Sequence, residues 1–159
     1  MNDFREISVY FDSCHKLIGV PCGKNPRVEN SLLMLDTFFV LEPGYNDDEL
    51  ETFFSKVFDA CFSKVSSYDE PTAIQKYTKA KSETAAVKKY KLIAINWTKD
   101  KGYEIMPCQA WKEYKGSFTS IKGISIKISL RSKVNPIEKG ALALAFRTAM
   151  GIVEQVDTR

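Results

Sequence analysis

His15 is the only histidine of the 159-residue chain. It stands beside Cys14, with Cys22 seven residues further on. Histidine next to cysteine is the pairing that activates a thiolate nucleophile, and the same residue types ligate soft metals. Neither reading has support around it. No third group that would orient an imidazole stands nearby, and the paired C-x-x-C or H-x-x-x-H spacing of a structural zinc site is missing. Asp47 and Glu51, four apart, offer paired carboxylates, but acid–base or metal chemistry would need them in a cleft, and a charged helix start accounts for them without one. There is no phosphate loop, dinucleotide fingerprint or nucleophile elbow. The expectation is a protein that is not an enzyme, with no cofactor and no metal.

Charge carries more information. From Glu29 to Glu70 there are ten acidic residues against Lys56 and Lys64, whereas from Lys76 to Lys133 fourteen basic residues face Glu83, Asp100, Glu104 and Glu113. Such a separation fits two surfaces that attract each other or a surface complementary to a charged partner. The basic region interleaves Tyr77, Tyr90, Trp97, Tyr103, Trp111, Tyr114 and Phe118 with lysines, the combination that single-strand nucleic-acid binders use for phosphates and stacked bases.

Two strand-turn-helix units position these groups. Met34–Leu41 is apolar at both parities and reads as a central strand. Pro43 and Gly44 break it. Asn46 then caps a helix, with Glu49 completing a capping box and Asp47 and Asp48 in the positive first turn. Leu50, Phe53, Phe54, Val57, Phe58 and Cys61 form its apolar stripe. Farther on, Ile124, Ile126, Ile128 and Leu130 alternate with polar residues, Asn135 caps, Pro136 takes the first helical position and Glu138 closes a second box. Ile137, Ala141, Leu144, Ala145, Ala149 and Met150 supply the second stripe. The two units read either as an internal repeat or as two ordinary βα units.

Elsewhere, Glu6–Phe11 and Lys16–Val20 read as a hairpin, Pro21–Asn30 as a loop, and Lys91–Trp97 with Tyr103–Pro107 as the clearest hairpin. Thr72–Tyr90 reads as a broken helix in which Ser82 is a cap, and Trp111–Phe118 as a loop. Length and composition fit one domain over residues 1–159 with a real core. The expected fold is α+β: a mixed central sheet packed by two main amphipathic helices. No apolar run reaches the roughly 20 residues of a membrane span. The N-terminus carries no export signal, so a cytoplasmic protein with reduced cysteines is expected.

Asp48-Glu49-Leu50, Tyr90–Trp97, Gly102–Pro107, Gly116-Ser117-Phe118, Ile126–Leu130 and Glu138–Phe146 together resemble the immunity proteins of bacterial contact-dependent growth inhibition systems. The resemblance spans most of the chain and rests on packing patterns. It implies a cytosolic inhibitor that binds the C-terminal domain of a cognate toxin, commonly a nuclease, and blocks its active site. On that reading the acidic region would face a basic, phosphate-binding toxin surface. Charge alone then nominates Asp47, Asp48, Glu51, Asp59, Asp69 and Glu70, with Tyr45 and Tyr68 as aromatic anchors. The competing expectation is a nucleic-acid-binding module using residues 76–133.

Overall fold

Adding 86 to a residue number carries the strands of residues 4–34 onto those of residues 90–120. The computed structural model describes residues 3–129 and 137–156. Its strands are β1 (Phe4–Phe11), β2 (Leu17–Lys24), β3 (Leu32–Met34), β4 (Phe39–Leu41), β5 (Lys91–Thr98), β6 (Gly102–Ala110), β7 (Phe118–Ser120) and β8 (Ile126–Ser129). The helices are α1 (Asp47–Asp59), α2 (Ala73–Thr78), α3 (Glu83–Ala86) and α4 (Ala141–Val156). Both hairpins follow the alternation read from the sequence, with Ile7 opposite Pro21 and Ile93 opposite Pro107. Those two pairs differ by 86 at each position, as do Cys22↔Met34 and Cys108↔Ser120.

The correspondence extends into the loops. Asn25 N–H donates to Ser31 O and Trp111 N–H to Ser117 O; Leu35 N–H donates to Pro21 O and Ile121 N–H to Pro107 O. Asn30 and Gly116, again 86 apart, both adopt positive φ, at 57° and 83°. β1 and β5 pair antiparallel at the centre, and Ser8 lies opposite Ala94, its own counterpart. A pseudo-twofold axis therefore passes through that pair. A repeat is present in the strands and their loops; at the two strand-turn-helix units its register slips, since Leu41 answers to Ile128 and α4 starts later than α1 plus 86.

Along the sheet the order is β3-β2-β1-β5-β6-β7, with β4 also on β2 and β8 also on β6. Every ladder among the described residues is antiparallel, which corrects the mixed sheet. Met34–Leu41 is likewise not a central strand. Its ends belong to β3 and β4, two short pieces sharing one edge of β2, with residues 35–38 between them. Pro21 stands in β2 between the stretches that β4 and β3 pair, and Pro107 stands the same way between those that β8 and β7 pair. A missing N–H costs least in such a gap. The loop expected from Pro21 therefore starts only after Lys24.

α1 and α4 cover one face of the sheet, burying Ile7, Val9, Phe11, Leu17, Ile93, Ile95 and Ile105 beneath Leu50, Phe54, Val57, Phe146 and Met150. Phe54 and Phe146 meet edge on with centroids 4.8 Å apart. The other face, with Tyr10, Ile18, Val20, Leu92 and Ala94, is covered by α2 and α3. The broken helix is these two pieces, split by Lys79 at φ 57° and restarted by Ser82, whose hydroxyl accepts from Ala85 N. Thr72 and Gln75 form a capping box for α2 that T-x-x-Q spacing encodes.

The α1 capping box forms at both ends, Glu49 N to Asn46 Oδ1 at 2.8 Å and Asn46 N to Glu49 Oε1 at 3.3 Å. α4 departs from expectation. Asn135 and Pro136 lie outside the described residues, but Ile137 and Glu138 precede the helix, which begins at Ala141 after Gly140 at φ 89°. Glu138 thus stands ahead of the helix instead of at its third position. The cap comes from Glu51 of α1, whose carboxylate accepts from Gly140 N at 2.8 Å and Ala143 N at 3.1 Å.

Candidate functional site

The acidic candidates fall into two groups on different parts of the surface. Around the start of α1 most are engaged within the protein. Tyr45 is buried, its hydroxyl donating to His15 O at 2.9 Å, with the Arg147 guanidinium 5.3 Å from its ring centroid. Arg147 also donates to Asp47 Oδ1 at 3.0 Å and to Tyr45 O at 3.1 Å. Asp48 faces Lys139 at 3.3 Å, and Glu51 is the α4 cap. Asp59 is exposed at the end of α1. This group ties α1, α4 and the β1–β2 turn together.

Tyr68, Asp69 and Glu70 lie after α1, on the way to α2. Tyr68 is 43% exposed, accepts from Asn25 Nδ2 at 2.8 Å, and carries Arg27 over one ring face at 4.2 Å. Asp69 lies 4.0 Å from Arg27, and Glu70 3.9 Å from Lys76. Asp36 is held by both Lys64 and Lys76, which keep its carboxyl well below the usual range, at about 2.

Tyr68 and Glu70 line a cavity of about 380 Å³ on the α2/α3 side of the sheet. Its walls are Val20, Leu33, Met34, Leu35, Ala73 and Ile74; its polar lining includes Tyr10, Asp36 and Glu83. No lysine or arginine lines it. Burial raises the Glu83 carboxyl, and burial followed by the Glu83 charge raises the Tyr10 phenol. Sequence reading missed Tyr10, Asp36 and Glu83. They are 26 and 73 positions from Tyr10 in the chain, and only the packing of α2 and α3 on β2 brings them together.

The basic region does not form one face. Lys88, Lys112 and Lys115 surround a hollow with Trp111, whose ring meets that of Tyr114 edge on at 4.5 Å; the two aromatics are 43% and 56% exposed. Lys101 and Lys127 line a different hollow beside Glu104. Lys76 and Lys99 are paired with acids. His15 binds Glu154 through Nε2 at 3.0 Å, while Cys22 lies buried against Glu6 and Cys61, so the structure does not unite the histidine with that cysteine. Among the described residues no group of three His, Cys, Asp or Glu is arranged to hold a metal ion, and no helix is long and apolar enough to cross a membrane.

No family model matches the chain, and no curated protein matches it. A solved structure does: a protein of unknown function, NMB0488, from Neisseria meningitidis, is similar over 95% of this chain and 96% of its own, with a TM-score of 0.67 at 12% sequence identity. At that identity the likeness concerns the fold.

Proposed function

We propose that the chain is an immunity protein that binds a basic toxin domain, a nuclease in the simplest case, and blocks its active site in the cytosol. The observation carrying this reading is the cavity at Tyr68 and Glu70. A protein of net charge +3 gathers three carboxylates and two tyrosines around one concavity with no base in its lining. Apolar walls, a charged rim and an exposed aromatic, Tyr68, are the make-up of a protein-binding surface rather than of a solvated face. Acidic side chains opposite a phosphate-binding groove would also speed association. The family resemblance of the sequence points the same way.

Arg147, Lys139 and the α4 N-terminus hold three of the α1 carboxylates, and Lys64, Lys76 and Arg27 approach Asp36, Glu70 and Asp69, so what sets the second group apart is the concave apolar lining beside it. Co-purification of the tagged protein from its native host in moderate salt tests the proposal. A roughly stoichiometric toxin-domain fragment is expected, and Asp69→Lys with Glu70→Lys should reduce its recovery more than Asp47→Lys with Asp48→Lys. Recovery of RNA or DNA with no protein sinks the reading.

A nucleic-acid-binding module is favoured instead by one observation, the exposed Trp111–Tyr114 pair among Lys88, Lys112 and Lys115. Lysines and an open aromatic pair suit phosphates and stacked bases. Lys112→Glu with Lys115→Glu should abolish nucleic-acid retention on this alternative and leave toxin recovery unchanged on the first.

A further inference from the structure

The inner part of the acidic cavity has a chemistry of its own. Tyr10, on β1, is 9% exposed; its ring meets Phe118 edge on at 6.2 Å, which fixes the side chain. Among the described residues its hydroxyl has no hydrogen-bond partner. A hydroxyl left open toward a cavity is free to accept from a polar group from outside. Glu83 lines the same cavity and belongs to no ion pair among the described residues. Glu83 is exposed at the mouth of the cavity, and its carboxyl is raised by the partial burial it has there.

We propose that this cavity receives one basic side chain, arginine or lysine, of the protein partner, with the Glu83 carboxylate and the Tyr10 hydroxyl as its acceptors. Val20, Leu33 and Ile74 would pack the methylene stem, as long basic side chains pack along apolar surfaces. Tyr68 stands in the lining, and its ring already accepts a guanidinium on one face, that of Arg27. Asp36 and Glu70 already have lysine partners, Lys64 and Lys76 for the first and Lys76 for the second, so Glu83 is the cavity carboxylate left to receive a cation, and a purely apolar group would strand both Glu83 and Tyr10. The assignment rests on the proposed function only for the identity of the partner.

Amide chemical shifts of the full chain, titrated with doubly blocked arginine and blocked lysine to millimolar concentration, test it directly. Saturable shifts confined to Val20, Leu33, Ile74 and Glu83 are expected. Blocked citrulline, which keeps the shape and loses the charge, should bind about tenfold more weakly, as should the arginine probe to Glu83→Gln, since a charged hydrogen bond is lost in each. Tyr10→Phe keeps the ring packed on Phe118 and should weaken the probe without disturbing the spectrum elsewhere. Equal binding of citrulline, undiminished binding to Glu83→Gln, or no shifts at the cavity overturns the assignment.

The partner itself separates this proposal from the functional one. If a toxin domain co-purifies and Glu83→Gln captures it undiminished, the cavity assignment falls and the immunity reading stands. If the probes bind as expected and no toxin is recovered, the immunity reading falls and the cavity assignment stands.

Discussion

Cys22 and Cys61 meet the same residue from two elements. Glu6 N–H donates to Cys22 Sγ at 3.4 Å, and Cys61 Sγ donates to Glu6 O at 3.6 Å. The Cys61 thiol also leans on Cys22, which lowers the Cys22 thiol and raises its own. The loop after α1 is stitched here to the sheet, since Phe62 N–H donates to Cys22 O at 2.9 Å.

Thiol labelling follows from this burial. Of the four cysteines only Cys14 is exposed; Cys108 is pushed up to about 11, chiefly by burial. A thiol reagent on the native protein should modify one cysteine quickly and the other three only with unfolding, because the thiolate is the reactive form and must be reached. Fast labelling of two or more in native buffer would contradict the packing.

Glu51 offers the clearest stability test. Its carboxylate satisfies two of the N–H groups that the start of α4 leaves open. Glu51→Ala should cost about 1–2 kcal/mol, the range for losing a helix cap. Denaturant midpoints would show it, and an unchanged midpoint would mean that α4 does not depend on α1 for its cap.

Two glycines give opposite signs. A Cβ at Gly19 would lie 2.6 Å from Val57 Cγ2 and 2.9 Å from Phe53 Cζ, because α1 rides directly on β2 there. Gly19→Ala should therefore destabilise by about 1–3 kcal/mol. At Gly151, inside α4, a Cβ meets nothing within 4 Å. Gly151→Ala should stabilise by about 0.5–1 kcal/mol through helix propensity. Thermal melts of both variants, run together, check the seating of each helix.

The acid limb of the stability curve should depend on Asp36. Its carboxyl falls from an ordinary 3.8 to about 2, first through the hydrogen bonds from Lys64 and Lys76. A depressed carboxyl contributes stability above its unfolded value and loses it as pH drops through the folded one. That contribution is fully present above pH 3.8 and disappears toward pH 2. The half-buried Glu6 works in the opposite sense, since its raised carboxyl gains from protonation. Asp36→Asn should flatten the loss between those pH values, and chemical denaturation across that range would reveal an unaltered slope if the network adds nothing.

The central hairpins and α1 were legible because their signals are local: alternation, a turn, a capping box and one stripe. The start of α4 was not, since its cap comes from Glu51, which is 89 positions before Gly140. Met34–Leu41 looked like one strand because apolarity does not record where pairing is interrupted; Leu35 leaves the edge to donate to Pro21 O. The helix caps leave open a repeat or two ordinary βα units, whereas the Pro-Cys step at 21–22 and again at 107–108 marks the 86-residue register. Of the candidate binding residues, charge alone found Tyr68 and Glu70 at the cavity. It equally nominated Asp47, Asp48 and Glu51, because composition cannot distinguish a carboxylate facing a partner from one facing an arginine or a helix end.

The split borders of the sheet bear on how this molecule avoids self-association. Each margin consists of two pieces of three or four residues, β4 and β3 at one side and β8 and β7 at the other. A long unpaired margin would template further strands from neighbouring chains and seed fibrils. Broken beside Pro21 and Pro107, neither margin offers a continuous ribbon of unpaired amides among the described residues. The duplicated proline thus acts twice as a guard against aggregation, once at each end of the sheet.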